Sequence, residues 1–206
     1  MRHTGPKNKI SRREAMDLGL KTPGSKSHAS LLRRLSVLPG QHGLKRRRKL
    51  SERSRQLREK QKLRFLFGVT EKQLKTYYQK ASFMKGNTGV LLGEFLERRL
   101  DNVVFRLGFA PTRASARQLV NHGHISVNDK RIDVASYQVQ NNDKIGFRKE
   151  GTVKIPYVES SLSNKDLIVA GWFQKEGTVG KLIGTPTNED IEKQVNVRSV
   201  IEFYSR

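Results

Sequence analysis

Between Pro111 and Ile132, in the stretch PTRASARQLVNHGHISVNDKRI, the chain gathers guanidinium, imidazole and ammonium groups with little to oppose them. Arg113 and Arg117 stand four residues apart, which on a helix makes them neighbours on one face. His122 and His124 bracket Gly123, and Lys130 and Arg131 follow the Asn128-Asp129 pair. No nucleophile-and-base pairing accompanies them, and the chain has no cysteine to complete a zinc site with the histidines. Without such companions these groups are not arranged for bond-making chemistry. They neutralise phosphates, so the expected chemistry is recognition of a polyanion.

The elements that must position these groups are legible nearby. Thr112 is a helix N-cap and Gly123 a helix stop, while Ile125, Val127, Ile132 and Val134 alternate around Asn128-Asp129 as a hairpin does. Upstream, VLLGEFLERRLDNVVFRLGF reads as one continuous helix, with Leu92, Phe95, Leu96, Arg99, Leu100, Val103, Val104 and Leu107 on one face. Short strands are expected at YQV, DKIGF, GWFQ and TVGKLIG, with a short helix at PYVESSLS. The closing NVRSVIEFYSR places Val197, Val200, Ile201 and Tyr204 at helical spacing, so it is expected to pack.

The net charge of the 206 residues is +22, and it is unevenly placed. Residues 1–90 hold 24 Lys or Arg against 5 acids, a surplus of 19; residues 91–206 hold 17 against 14, a surplus of 3. So large an excess points to nucleic acid as the partner. Residues 1–50, broken by GPK, TPGS and PGQHG, leave room for short helices at ISRREAMDLGL and HASLLRRLSVL. Alone, this segment reads as a basic arm, either solvated or ordered on RNA. LSERSRQLREKQKLRFLFG then forms a helix capped by Ser51 and stopped by Gly68. It carries Arg53, Arg55, Arg58, Lys60, Lys62 and Arg64 with only Glu52 and Glu59 as acids, which favours phosphate binding over a merely solvated face. Thr70 and Gln73 make a capping box for the next helix, whose Leu74, Tyr77, Tyr78 and Ala81 fit a core stripe better than a base-stacking row.

Other classes fit poorly. No apolar run is long enough to span a membrane, the basic helix lacks the apolar face of an interfacial helix, and the N-terminus has no secretion-signal core. A P-loop, a dinucleotide-binding glycine motif and the zinc-protease helix motif are all missing from the sequence. No enzyme activity, no cofactor, no metal and no small-molecule substrate are expected.

The stretch LERRLDNVVFRLGFAPTRASARQLVNHGHISVNDKRIDVASYQVQNNDKI resembles the S-four-type RNA-binding module. GPKNKISRRE, PGQHG, QLREKQKLRFLFGVTEKQ, YYQKA, KGNTG and VIEFYSR, in that order, are similar to the small-subunit ribosomal protein S-four family, bacterial type. The resemblance implies an α+β fold: a helical domain built from N-terminal and C-terminal segments, with an inserted RNA-binding module of helices plus a small antiparallel β-sheet. The implied boundaries are a basic N-terminal arm over 1–44, a helical rRNA-binding domain over 45–92 completed by about 184–206, and the module over 93–183.

The resemblance further implies a structural component of the small ribosomal subunit in the bacterial cytoplasm. It would bind a multi-helix junction in the 5′ domain of small-subunit rRNA, nucleate assembly, and affect translational accuracy through ribosomal protein S-five. Other small-subunit proteins and messenger RNA near the channel it enters by are the remaining implied partners. The RNA-facing candidates are Arg12, Arg13, Lys45, Arg46, Arg47, Arg48, Lys49, Arg53, Arg55, Arg58, Lys62, Lys85, Arg113, Arg117, His122, Lys130 and Arg131. Some relatives hold zinc with cysteines in the arm; the counterpart here has serines, and no metal is expected. The alternatives are a stand-alone RNA-binding regulator, or the targeting module of an RNA-modifying enzyme.

Overall fold

A computed structural model describes residues 3–44, 49–164, 170–186, 191 and 193–205. The chain divides into two compact units, Met1–Leu92 with Asn188–Arg206, and Gly93–Thr187.

In the first unit, α1 (Lys7–Glu14) and α2 (Lys26–Arg33) precede α3 (Glu52–Leu66) and α4 (Glu71–Phe83). The short helices expected at ISRREAMDLGL and HASLLRRLSVL are present as α1 and α2. Contacts within the protein hold this segment. Leu18 and Leu31 are buried, Arg12 donates to the carbonyls of Val37 and Leu38 (both 2.9 Å), and His28 meets Asp17 at 2.7 Å. Lys45, Arg46, Arg47 and Arg48 lie outside the described residues.

The expected stops and caps of α3 and α4 are present. Ser51 accepts from the Ser54 backbone, Gly68 takes the left-handed conformation (φ 61°), and Thr70 and Gln73 form the capping box. The terminal helix α9 (Val197–Tyr204) packs on α3, burying Val197 and Val200. Gly89, in α5 (Thr88–Glu97), lies against the same helix: a Cβ there would sit 3.3 Å from both Val197 and Ile201 side chains.

The second unit is α+β. Here α6 (Leu100–Arg106), α7 (Arg113–Asn121) and α8 (Pro156–Leu162) accompany an antiparallel sheet ordered β2-β1-β3-β5-β4. Its strands are β1 (Ile125–Val127), β2 (Lys130–Arg131), β3 (Lys144–Phe147), β4 (Phe173–Glu176) and β5 (Val179–Leu182). Asn128 and Asp129 both take positive φ (49° and 63°), the primed turn that joins two right-twisted strands.

Two expectations change. The long helix is broken: α5 ends at Glu97, Arg99 is extended (ψ 134°), and α6 begins at Leu100. YQV forms no strand, only an isolated bridge between Gln138 and Arg99. The causes are linked, because residues 135–139 capture the backbone at the break. Leu100 and Asp101 N–H groups donate to Tyr137 and Ala135, and Val139 N–H donates to Arg98. The core includes Val103, Val104, Leu107, Leu119, Ile125 and Ile145. Leu107 sits so close to Gly180 that a Cβ there would lie 2.4 Å from its methyl carbon, so helix and sheet meet over a bare backbone.

Candidate nucleic-acid interface

In the second unit the geometry begins from the break at Arg99. Its side chain is fully buried and grips Asp101 through Nε (3.1 Å) and Nη2 (2.7 Å). Asp101 also faces Arg117 of α7 at 3.6 Å. Beside it the buried Glu97 carboxylate accepts from Asn102 and from Arg106 at 2.7 Å, and Asn102 Oδ1 accepts from Arg113 Nε at 2.7 Å. Arg113 lies over the Phe105 ring, 4.6 Å from its centroid. Arg113 and Arg117 are therefore half-buried and fasten α7 to α6, besides whatever surface they offer.

In the rest of the expected ridge His122, Lys130 and Arg131 are exposed and His124 is half-buried. His122 ends α7 with its ring 6.2 Å from that of His124, and Lys130 and Arg131 form β2. Arg131 lies over Gly123, where a Cβ would be 2.6 Å from its Nε; the exposed arginine could swing aside, but with φ at 70° a side chain there would be strained. Arg131 also meets Asp133 at 3.3 Å.

The further exposed cations of this unit that sequence reasoning did not single out include Lys144, Lys181 and Arg148. Lys144 and Lys181 are direct register partners on β3 and β5, and Arg148 N–H bonds the His124 carbonyl. Like charges directly opposite each other on a sheet are destabilising, so this cross-strand lysine pair concentrates positive charge at one point of the sheet. Alternation of KIGF and VGKL was visible in the sequence, but the register that pairs the lysines was not.

In the first unit α3 tells a different story from its sequence. Most of its cations have partners drawn from elsewhere in the chain. Arg58 meets Glu14 of α1 at 3.1 Å, and the buried Lys60 meets Glu71 of α4 at 2.7 Å. Arg53 donates to the Phe203 carbonyl and lies 4.1 Å over its ring, and Lys62 pairs with Glu59 at 2.6 Å. Burial works to raise Glu71, yet hydrogen bonds from Lys60 and Tyr204 outweigh it and leave the carboxyl below its usual range. Burial and the Glu71 carboxylate push the Tyr204 phenol well up, so it stays a donor. Arg13, Lys49, Arg55 and Lys85 are exposed, and their side chains have no partner among the described residues. Among the described residues no cluster of His, Cys, Asp or Glu fits a metal ion, and no helix is long and apolar enough to cross a membrane.

Helices packed on a small sheet, with cations presented at its turn and outer face, define an α+β chain built around an RNA-binding module. The family description S4 domain matches residues 98–145, and Ribosomal protein S4/S9 N-terminal domain matches residues 2–97. The small ribosomal subunit protein uS4 of Herpetosiphon aurantiacus is 47% identical over 213 residues, covering 100% of this chain and 99% of the relative. The proteins of the same name from Aquifex aeolicus and Thermus thermophilus are 45% and 43% identical, again over 100% of this chain and 99% of each relative. The chain belongs to the uS4 family of small ribosomal subunit proteins.

Proposed function

We propose that this protein binds a multi-helix junction in the 5′ domain of small-subunit rRNA, in the bacterial cytoplasm, and stabilises it early in assembly. The observation that carries the reading is the end-to-end similarity to uS4 proteins. Recognition is of backbone shape. The deep, narrow major groove of RNA hides its base edges, so phosphates and ribose hydroxyls are what rigidly held cations meet. Lys130, Arg131, Lys144, Lys181, Lys49, Arg55 and Lys85, exposed on the two units, are the groups assigned to phosphates. Arg113 and Arg117 act one step back, holding α7 so that the hairpin is presented rigidly. Contact with ribosomal protein S-five, with a bearing on decoding accuracy, and proximity to incoming messenger RNA belong to the same proposal. It is a structural role with no bond-making step.

The test compares binding of the 5′ domain RNA with a length-matched scrambled RNA across a salt series. The expected result is a preference of tens-fold or more. Affinity should fall steeply with salt, with a logarithmic slope near −0.7 to −0.9 per phosphate neutralised, by analogy with DNA. Lys144→Ala with Lys181→Ala should weaken binding and flatten that slope by up to about two such increments. Equal binding of both RNAs would reduce the charge to a nonspecific polyanion surface and overturn the proposal.

A further inference from the structure

Within the first unit, α1 and α3 enclose a cleft of 580 Å³, inside the range of about 300–1,000 Å³ typical of small-molecule sites. Its apolar lining comes from Pro6 and Ile10 on one side and Leu57 and Phe65 on the other. Leu50 and Leu57 stay 47% and 40% exposed at it, although both are large aliphatic side chains. At one end the Glu14–Arg58 pair closes the wall; at the other His3 stands edge-on to the Phe65 ring, 5.7 Å away and inclined at 80°. Arg64 lies over that ring, 4.4 Å from its centroid.

The charges around the cleft are not balanced. Glu14 is the one carboxylate among the described residues that line it, and burial pushes that carboxyl up while Arg58 pulls it back. That pair is spent internally, which leaves Lys9 and Arg13 as exposed lining residues with no side-chain partner among the described residues. A flat apolar body with an anionic tail matches such a cleft. An aromatic ring carrying a guanidinium is the surface on which nucleobases stack, whatever their sequence. An acidic peptide would satisfy Lys9 and Arg13 but would make no use of the Phe65–Arg64 platform.

We propose that the α1–α3 cleft takes up one unpaired nucleotide of the bound RNA, its base stacked at Phe65 and its phosphate held by Lys9 and Arg13. This rests on the RNA-binding reading above and adds a defined pocket to it.

The test has two arms on the full chain. In the first, AMP, UMP, inorganic phosphate and an acidic peptide are titrated separately while the resonances of Ile10, Leu57 and Phe65 are followed by NMR. Both mononucleotides should shift all three residues, and phosphate should leave Phe65 unmoved. A peptide that shifts them more than AMP does, or mononucleotides that leave Phe65 unmoved, would overturn the proposal. In the second arm, Phe65→Leu and the cleft-filling Leu57→Trp are compared with wild type for 5′ domain RNA. Each should bind about tenfold more weakly, the loss of one stacked base. Melting curves check that each variant folds, and either variant suffices. Wild-type affinity in the folded variant removes the inserted nucleotide while leaving RNA binding intact. If wild type itself does not prefer the 5′ domain, the RNA reading fails, and the mononucleotide arm still decides the cleft.

Discussion

The guanidinium of Arg99 and the carboxylate of Asp101 meet inside the second unit with both groups buried, two hydrogen bonds apart in space and two residues apart in sequence. Arg99 sits on what the sequence presents as the apolar face of one long helix. A charged side chain tolerates that position only with a partner, and the break between α5 and α6 brings the partner into reach.

Removing Arg99 takes two hydrogen bonds from the buried Asp101 carboxylate and leaves it the longer, 3.6 Å approach of Arg117. Arg99→Ala should cost about 3–5 kcal/mol in urea unfolding. The double variant with Asp101→Ala should cost clearly less than the two single losses combined. A single-variant loss below about 1 kcal/mol would mean the pair does not hold the break.

Gly180→Ala should destabilise by about 1–3 kcal/mol, because the new methyl would press on the buried Leu107 side chain. Combining it with Leu107→Ala makes room for that methyl, so Gly180→Ala should then cost less than it does in the wild-type background. Thermal unfolding of the four proteins checks this, and strict additivity would refute the contact.

Acid stability should depend on Glu71 with a definite sign. Its folded-state pKa lies below the ordinary 4.5, so it contributes stability above that value and loses it as pH falls through the lowered one. Glu71→Gln should flatten the loss of stability in that window below 4.5. Glu14 has the opposite sign. Its raised pKa gives a contribution that is present below 4.5 and lost as pH rises through the raised value. Glu14→Gln should therefore alter the profile above 4.5 rather than below it. Denaturation midpoints from pH 3 to 7 separate the two, and identical profiles for both variants would contradict the assignment.

The lysine pair offers a trade. Lys144→Gln should leave the free protein as stable or slightly more stable, by about 0.2–1 kcal/mol at low salt, while weakening its hold on RNA. Melting temperature and RNA affinity measured on the same preparation decide it. Falling together, they would make Lys144 a structural residue.

Much of this molecule can be read from local sequence because the signals involved are local. Ser51, Thr70 and Thr112 satisfy N–H groups within a single turn, and Gly68 and Gly123 adopt backbone angles that other residues resist. Asn128-Asp129 sets a primed turn between alternating strands, and the terminal helix shows its apolar face at regular spacing.

Partners distant in sequence were decided only by the tertiary structure. Counting acids within α3 finds two, and the helix looks like an unrelieved row of charge. The fold brings Glu14 to Arg58 and Glu71 to Lys60, and those cations are then largely spent inside the protein. Periodicity runs straight through Arg98-Arg99, because Leu92 and Leu96 before it and Leu100, Val103 and Leu107 after it keep helical spacing. Only the captured backbone of residues 135–139 and the carboxylate of Asp101 make a break there favourable. Coulomb attraction and burial act through space, so sequence by itself determined the caps, the turns and the sign of the charge. Which charges remain free to meet a phosphate was left to the tertiary structure.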